Sequence, residues 1–446
     1  MESIDLDRIS NLPESIRNHI VSFLPMVDAI RTSILSKPWR NVCSSLSNFD
    51  FDQQLFDEMS DKKTSFKESV SQLIDHRDES NVQSFKLSID VDDSIVRHIN
   101  SWISYVVQHN VKEFELCVIS GKLVHLPCIL FTSKTLTALC LNNIINLNLP
   151  SLVEFPVMKT LNLCTIKWSD DKQTNQLISS CPLLQELFLV DCSWNKSNLL
   201  VISAPNLKRL VLKTASPAQE VRISSTKICF CHYVGHPPDI SLESLSSLLS
   251  VEFYFFPSSA RTAKVSHKHM DDRVIKIFMG LQNVVDLMIA QYSVEILARE
   301  WDLLSKNSTC FGSIKILGLI VFSTKNQVQF VALFLMLFSK LRKLCIFFEE
   351  NDQFRRLLDM KEYCQPQMSS DLGALEEITI FKFKGSDDEL YLVSHLLEYG
   401  KALKAMRISY SDELDEDNLT RVTIREKIAN FVKASPVATI SYFHGL

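Results

Sequence analysis

The chain has 446 residues, of which 46% are hydrophobic and 22% are charged, a balance typical of a fully folded soluble protein of two or three units. Its 47 Lys and Arg and 52 Asp and Glu residues give a net charge of −5, which argues against nucleic acid or an anionic membrane as a partner. The first residues lack the pattern of a signal peptide, and the most apolar run, residues 330–338, is too short to span a bilayer. We therefore expect an intracellular protein of the cytoplasm, the nucleus or both.

The first predicted elements are short helices near the start of the chain. Asn11 and Glu14 have the spacing of a capping box, and Pro13 fits a first turn, where no amide donor is needed. The apolar residues that follow recur every three or four positions, so a helix would place them on one face. They are Ile16, Ile20, Phe23 and Leu24.

Two further short helices are predicted after this one. Pro25 ends the first helix, and the pattern predicts a second over residues 27–36. Pro38 then opens a third, which carries Trp39 and Val42. A unit of about 40 residues is marginal for an independent core. It either docks on a partner protein or forms an ordinary helical cap on the domain that follows.

Residues 7–40 resemble an F-box in its plant form. The sequence departs from the family pattern at Met26, Val27, Pro38, Val42 and Cys43. The matching positions are Asp7, Arg8, Ile9, Ser10, Leu12, Pro13, Ile20, Ser22, Phe23, Leu24, Pro25, Asp28, Ala29, Arg31, Thr32, Ser33, Leu35, Ser36, Lys37, Trp39 and Arg40.

The resemblance implies binding to a Skp1-type adaptor protein, which would link the chain to a cullin and a RING subunit in a ubiquitin ligase. In the family pattern one set of residues faces the adaptor, and the last of the set anchors the third helix. The adaptor-binding residues implied in this chain are Leu12, Pro13, Ile16, Ile20, Leu24 and Trp39.

A repeated pattern dominates the rest of the chain, with apolar residues at positions 1, 4 and 6 of each copy. Positions 4 and 6 fall on one face of a short strand. The first copies are 29, 25, 22, 26 and 23 residues apart, close to the period of leucine-rich repeats, so a stacked solenoid is predicted. The copies begin at Val82, Val111, Leu136, Met158, Leu184, Leu207, Leu248, Val284, Ile314, Leu341, Leu375 and Leu403.

Helices are predicted between several of these strands. One apolar stripe begins at Ile95 and includes Trp102, and another runs from Val274 to Leu281. Residues 330–338 are apolar on all sides, which favours a buried helix packed against the sheet. The fold class is therefore α/β.

Three further segments resemble the repeats of plant F-box proteins with leucine-rich repeats, namely residues 102–116, 179–192 and 204–212. Residues 375–385, 389–409 and 425–443 resemble the FBD domain that closes many of these chains. The resulting division is a three-helix F-box at 1–48, an irregular leucine-rich-repeat horseshoe at 49–370 and an α/β FBD cap at 371–446.

Without reference to this resemblance, the residue pattern of the last segment also predicts helices and a strand. Ser386 and Glu389 form a capping box for a helix that Gly400 would end. Thr423 and Glu426 repeat the same spacing, and residues 437–443 alternate well enough for a terminal strand. Such a unit would close the open end of the repeats.

No enzyme motif is present: the sequence lacks phosphate-binding, dinucleotide-binding, metalloprotease and nucleophile-elbow signatures, so a non-catalytic protein without cofactors is predicted. The nearest approach to a metal site is Cys229, Cys231, His232 and His236, which lacks paired C-x-x-C spacing. A strand with small Cys side chains is the preferred interpretation, and no metal is predicted. The other cysteines need no disulfides to explain them.

Positions 3 and 5 of each repeat would face away from the core, and stacking would align them in rows. We expect this outward face to bind a protein target of unknown identity. A register error of one residue would invert the faces, and the side chains could also simply pack on one another. The row consists of Cys140, Asn162, Phe188, Val211, Met288 and Cys345, with Glu186, Arg209, Asp286 and Lys343 as charged neighbours.

Two alternative functions stay open. Some relatives with leucine-rich repeats are hormone receptors, which would imply a small-molecule pocket and a basic inositol phosphate pocket, yet no Lys/Arg cluster marks the predicted strands. An interaction scaffold without ligase coupling is the other alternative, because Pro38 and residues 42–43 depart from the F-box pattern.

Overall fold

The computed structural model describes residues 9–21, 23–24, 26–32, 36–44, 46–59, 65–121, 125–168, 172–194, 199–214, 220–256, 264–349, 372–414 and 417–443. The chain divides into two compact units. Unit 1 comprises Met1–Leu207 and Thr214–Ser216, and unit 2 comprises Lys208–Lys213 and Pro217–Leu446.

Unit 1 contains a parallel sheet in the order β1-β2-β3-β4-β6-β8, and β5 pairs with β7 beside it. Its strands are β1 (Asn48–Asp52), β2 (Ser84–Val91), β3 (Glu113–Gly121), β4 (Ala138–Asn142), β5 (Ile145–Leu147), β6 (Thr160–Cys164), β7 (Lys167–Trp168), β8 (Glu186–Cys192) and β9 (Leu200–Ile202). Its helices are α1 (Glu14–Val21), α2 (Met26–Thr32), α3 (Lys37–Ser44), α4 (Gln53–Met59), α5 (Phe66–Asp75), α6 (Val96–Gln108), α7 (Lys172–Ser179) and the 3-10 helix Cys128–Thr132.

Unit 2 contains a second parallel series in the order β10-β12-β14-β15-β16-β17-β18-β19-β20, with β11 paired to β13. Its strands are β10 (Arg209–Thr214), β11 (Val221–Ile223), β12 (Phe230–Gly235), β13 (Asp239–Ile240), β14 (Ser250–Phe255), β15 (Asp286–Ile289), β16 (Ile316–Phe322), β17 (Lys343–Glu349), β18 (Glu377–Phe383), β19 (Ala405–Tyr410) and β20 (Thr439–Phe443).

The helices of unit 2 lie between these strands in the chain. They are α8 (Leu242–Ser247), α9 (Lys264–Met279), α10 (Gln291–Arg299), α11 (Trp301–Lys306), α12 (Lys325–Phe334), α13 (Asp387–Tyr399) and α14 (Asn418–Ala429), with 3-10 helices at Ser308–Phe311, Leu335–Leu337 and Asp412–Leu414.

Each of the twelve predicted copies forms a strand and contributes to the core. All 36 apolar residues of the twelve predicted copies are at most 2% exposed. Positions 4 and 6 also align across neighbouring strands: Phe85 pairs with Phe114, and Phe114 pairs with Leu139. The stacked rings of Phe85 and Phe114, 5.8 Å apart, show how one repeat completes the core of the next.

Two strands of the main parallel series were not predicted, and neither were the short strands β5, β7, β9, β11 and β13 outside it. β1 follows the same pattern with Leu46, Phe49 and Phe51, and β12 follows it with Ile228, Cys231 and Tyr233. Cys231 and Tyr233 are only 2% and 1% exposed. The long interval between the copies at Leu207 and Leu248 is therefore two repeats.

The buried helix predicted over residues 330–338 is confirmed. It forms the second half of α12 and the 3-10 helix after it, where Phe330 and Phe334 are 1% and 0% exposed. Met336 is 43% exposed and is the exception. The predicted helical stripes lie on α6 and α9, with Ile99 and Val274 both fully buried.

Helix boundaries near the start of the chain differ from the predictions. α1 begins at Glu14 and not at a cap on Asn11, because the carbonyl of Pro13 accepts from the amides of Ile16 and Arg17. α2 ends at Thr32, before the predicted end at residue 36. Residues 33–35 of the predicted second helix lie outside the described residues.

In the last segment one predicted cap is confirmed and the other is wrong. The hydroxyl of Ser386 and the carboxylate of Glu389 form the capping box of α13. α14, however, begins at Asn418, where Asp417 accepts from the amide of Thr420 at 3.0 Å, so the Thr423 and Glu426 pair lies inside the helix. Strands β18 to β20 extend the parallel series of unit 2.

Candidate functional site

The helices α1, α2 and α3 enclose a small apolar core. Val21, Ala29, Trp39 and Val42 are at most 3% exposed, and Leu24 packs partly buried against them. The indole of Trp39 anchors α3 from within, as expected for the third helix, and Leu24 is half-buried beside it. A contact of either residue with an adaptor stays a prediction.

Other apolar residues of α1 and of the turns before and after it stay on the surface, although nothing in their chemistry favours contact with water. Ile16 and Ile20, one turn apart on α1, are 45% and 37% exposed, and Phe23 is 74% exposed. Ile9 is 59% exposed. Of the remaining predicted residues, Pro13 is exposed and Leu12 is half-buried. We call Ile9, Ile16, Ile20 and Phe23 the helical stripe.

Hydrogen bonds fix the segment that leads into α1. The guanidinium of Arg17 donates to the carbonyl of Ser10 at 2.7 Å. The hydroxyls of Ser10 and Ser36 are also 2.7 Å apart, which ties the leading segment to the start of α3. The surface around the helical stripe is thus held in place before any partner binds.

The outward face of the unit 1 sheet aligns the predicted residues in one row. Cys140 on β4 pairs with Asn162 on β6, which pairs with Phe188 on β8. These three side chains are half-buried. The same row continues through residues that the sequence did not indicate, namely Asp50, Lys86 and Glu115 on β1, β2 and β3.

A corresponding row crosses unit 2. Val211, Met288 and Cys345 lie in the predicted register. The residues that the sequence did not place in this row are His232, Glu252, Gly318, Thr379, Arg407 and Ser441. His232 was missed because its strand, β12, was missed, although an apolar triplet with Cys and Tyr would have located that strand.

Comparison with known proteins identifies the segments that carry these surfaces. The F-box domain model matches residues 9–51. A model described as "FBD-associated F-box protein At5g56370, LRR repeats" matches residues 99–229. The chain is therefore similar to F-box/FBD/LRR-repeat proteins in both segments.

Relatives from Arabidopsis thaliana match this chain over about half to nearly all of its length. The putative F-box/FBD/LRR-repeat protein At4g03220 is 27% identical and aligns with 98% of this chain and 96% of its own. F-box protein At3g59000 is 26% identical, with 95% and 90% covered. F-box/LRR-repeat protein At4g14096 is 33% identical over about half of each chain, 54% and 53%. Among solved structures, a chain of the TLR13–ssRNA13 complex is 12% identical, covers 76% of this chain and 54% of its own, and has a TM-score of 0.31.

On the outward face of unit 2, side chains of neighbouring strands form hydrogen bonds with one another. The imidazole Nδ1 of His232 lies 2.7 Å from a carboxylate oxygen of Glu252, and the hydroxyl of Tyr254 donates to the sulfur of Met288 at 3.0 Å. Burial and the nearby charge of Glu252 raise the pKa of Asp286 above its usual value. A half-buried carboxylate in this position favours a cationic or hydrogen-bond-donating group from a partner.

The cysteines of the outward faces are not activated for chemistry. Burial raises the pKa of Cys140 to about 12, and burial also raises that of Cys345. A protonated thiol is a poor nucleophile and a poor metal ligand. Among the residues that the structure describes, no group of three His, Cys, Asp or Glu side chains could hold a metal ion.

The Cys and His residues around β12 do not converge. Cys231 points into the core and is 2% exposed, whereas the next residue, His232, lies on the outward face. Successive side chains of a strand point to opposite faces, so these two side chains cannot share a ligand. The imidazole of His236 is instead 3.2 Å from the carbonyl of Phe256.

None of the helices in the described ranges combines the length and apolarity that crossing a membrane requires.

Proposed function

We propose that the chain is the substrate-recognition subunit of an SCF-type E3 ubiquitin ligase. In this role the F-box binds a Skp1-type adaptor, which brings the cullin, and the outward face of the repeats binds the protein to be ubiquitinated. The chain itself is non-catalytic and acts within the cell. The observation that carries the proposal is the helical stripe, since it lies in the segment that the F-box model matches.

Burial of the helical stripe in a partner explains its exposure. Burying a large aliphatic or aromatic side chain contributes about 1.5–3 kcal/mol, so four such residues that stay exposed forgo a substantial stabilisation of the fold. Contiguous exposed apolar residues in a soluble domain mark a surface that binds another protein. The internal core of Trp39 and its neighbours keeps the stripe outside, because that core is already filled.

Co-purification with a Skp1-type adaptor tests this half of the proposal. Replacing Ile16→Asp together with Ile20→Asp should weaken adaptor binding at least 100-fold, because both charges would be buried in the interface. The control is Leu152→Asp, which places the same charge at a residue that is 57% exposed in unit 1 and lies outside the F-box. The double variant Leu12→Ala, Pro13→Ala should also lose the adaptor.

Retained adaptor binding by the Ile16 and Ile20 double variant would remove the adaptor from the proposal. Thermal unfolding of each variant separates loss of binding from loss of fold. A chain that never binds the adaptor but still binds other proteins would instead be an interaction scaffold.

The target half of the proposal rests on the rows of the outward face. Half-buried Phe188 and Val211 are apolar residues in these rows, and each pairs with a polar residue on the neighbouring strand, Asn162 and His232 respectively. An apolar anchor surrounded by polar residues is typical of a binding hot spot. Phe188→Asp combined with Val211→Asp should abolish target capture in proximity labelling under proteasome inhibition, while adaptor binding is kept. An unchanged set of labelled proteins would contradict this assignment.

A further inference from the structure

A groove opens in unit 1 between the F-box helices and the first strand. Its volume is about 770 Å³, within the range of about 300–1,000 Å³ that is common for ligand sites. One wall is β1 itself, from Asn48 to Asp52. The apolar part of the lining comes from α1, α2, α4 and α5, or from residues next to them, and includes Val21, Leu24, Met26, Phe56, Phe66 and Val70.

The wall formed by β1 is the end of its sheet. In the described part of the chain β1 pairs with β2 alone. The amide of Ser84 donates to the carbonyl of Ser47, so odd-numbered residues of β1 turn their backbone groups toward β2. The amides and carbonyls of Asn48 and Asp50 therefore point to the open side, where an added strand would find them.

The side chains of β1 define what an added strand must carry. Phe49 and Phe51 point inward and are 2% and 4% exposed, whereas Asn48 and Asp50 are exposed on the outward face. A neighbouring strand has the same alternation, because side chains in register lie on the same face. Its inward residues would enter the apolar part of the groove, and its outward residues would lie beside the carboxylates.

Charge selects the outward residues of such a strand. The carboxylates of Asp50 and Asp52, on the outward face of β1, line the groove. Glu113 lines the groove as well. Lys86 pairs with Asp50 across the two strands and also lines the groove, but its ammonium lies 3.9 Å from Glu115, and no salt bridge to Asp50 or Asp52 is found among the described residues. Basic side chains on an incoming strand would neutralise these carboxylates.

We propose that the groove captures an extended peptide segment of about five residues, with alternating basic and apolar side chains, as an added strand on β1. The inference rests on the proposed function in one respect: the segment belongs to the target protein. Main-chain hydrogen bonds give such a complex its affinity, and the alternate side chains give it specificity.

A labelled synthetic peptide of alternating lysine and valine, seven residues long, tests the proposal by fluorescence anisotropy with the full chain. The peptide should bind at least 10-fold more tightly than an alternating glutamate and valine peptide. It should also bind at least 10-fold more tightly than the lysine and valine peptide N-methylated at alternate residues. Equal binding of the N-methylated peptide would mean ionic attraction without strand pairing and would overturn the inference.

Three variants locate the binding site. Asp50→Pro removes an amide that points to the open side, which an end strand tolerates, and should abolish binding. Asp50→Asn keeps that amide and should lose only the salt-dependent part of the affinity. Leu55→Asp changes a groove residue that is 52% exposed and should weaken binding at least 10-fold, while Leu152→Asp should have no effect. If the Pro variant does not fold, Leu55→Asp still decides the matter: unchanged binding refutes the groove.

Adaptor binding, measured on the same preparations, separates this inference from the proposed function. Adaptor binding without any peptide binding refutes the groove and leaves the ligase role standing. Peptide binding without adaptor binding refutes the ligase role and leaves the groove standing.

Discussion

Glu295 makes the stability of unit 2 depend on pH. This residue lies on α10, a helix with almost every side chain buried, and is itself 4% exposed. One carboxyl oxygen accepts from the side-chain amide of Gln327 at 3.1 Å, and the amide oxygen of Gln327 accepts from the backbone of Phe322. Burial raises the pKa of Glu295 to about 7, because the charged form loses its hydration.

The sign of the effect follows from comparing the folded and unfolded states. Below pH 4.5, the ordinary value, the carboxyl is neutral in both states, and no stability is lost. As pH rises toward 7 the unfolded state releases its proton first, so the free energy of unfolding falls. The pKa difference corresponds to about 3 kcal/mol in total, of which about 2 kcal/mol is lost between pH 5.5 and 8.

Urea unfolding of the wild type and Glu295→Gln at both pH values measures this loss. The Gln variant keeps the contact with Gln327 but carries no titrating proton, so it should gain about 2 kcal/mol relative to wild type between pH 5.5 and 8. The control Glu300→Gln changes an exposed neighbour and should show no such gain. An equal stability difference at both pH values would refute the reasoning.

Three further predictions concern the last segment. Ser386→Ala removes the cap of α13 and should lower the free energy of unfolding by about 1 kcal/mol, whereas Ser386→Asp should preserve it. Gly385→Ala should lose about 1–3 kcal/mol, because φ is +75° and the new Cβ would meet Ile424, whereas Lys382→Gly at φ +55° should cost nothing. Removal of all residues from Leu375 onward exposes the edge of β17 and the face of α12 against α13, so size-exclusion chromatography should show aggregates. A monodisperse product would contradict that view.

The repeat core was predictable because burial on a strand is a local property of the sequence. Each copy requires apolar residues at three fixed positions, and Leu161 and Leu163 satisfy this without reference to distant residues. β12 escaped prediction since Cys231 and Tyr233 are ambiguous in isolation. Their burial depends on neighbours such as Phe255, whose ring lies 5.9 Å from that of Tyr233.

The candidate surfaces were only partly predictable. Helical spacing places Ile16, Ile20 and Leu24 on one face, but it does not say how wide the buried part of that face is. In the structure Leu24 packs on the internal core and Ile16 stays outside. That division depends on where α2 and α3 cross α1, which is a tertiary property. The groove beside β1 has the same origin, because its walls come from segments that the sequence keeps apart.

The junction of the F-box with the first strand is continuous. Leu46 packs against the helical core, and it is also the first apolar position of the repeat that places Phe49 in the sheet. The guanidinium of Arg77 donates to the carbonyl of Leu46 and lies 4.8 Å from the ring centre of Phe49. The side chain of Arg77 thus contacts the junction both at Leu46, beside the helical core, and at Phe49, in the sheet. Val21 and Leu24 line the groove from the side of the F-box helices, so the position of these helices relative to β1 sets the width of the groove.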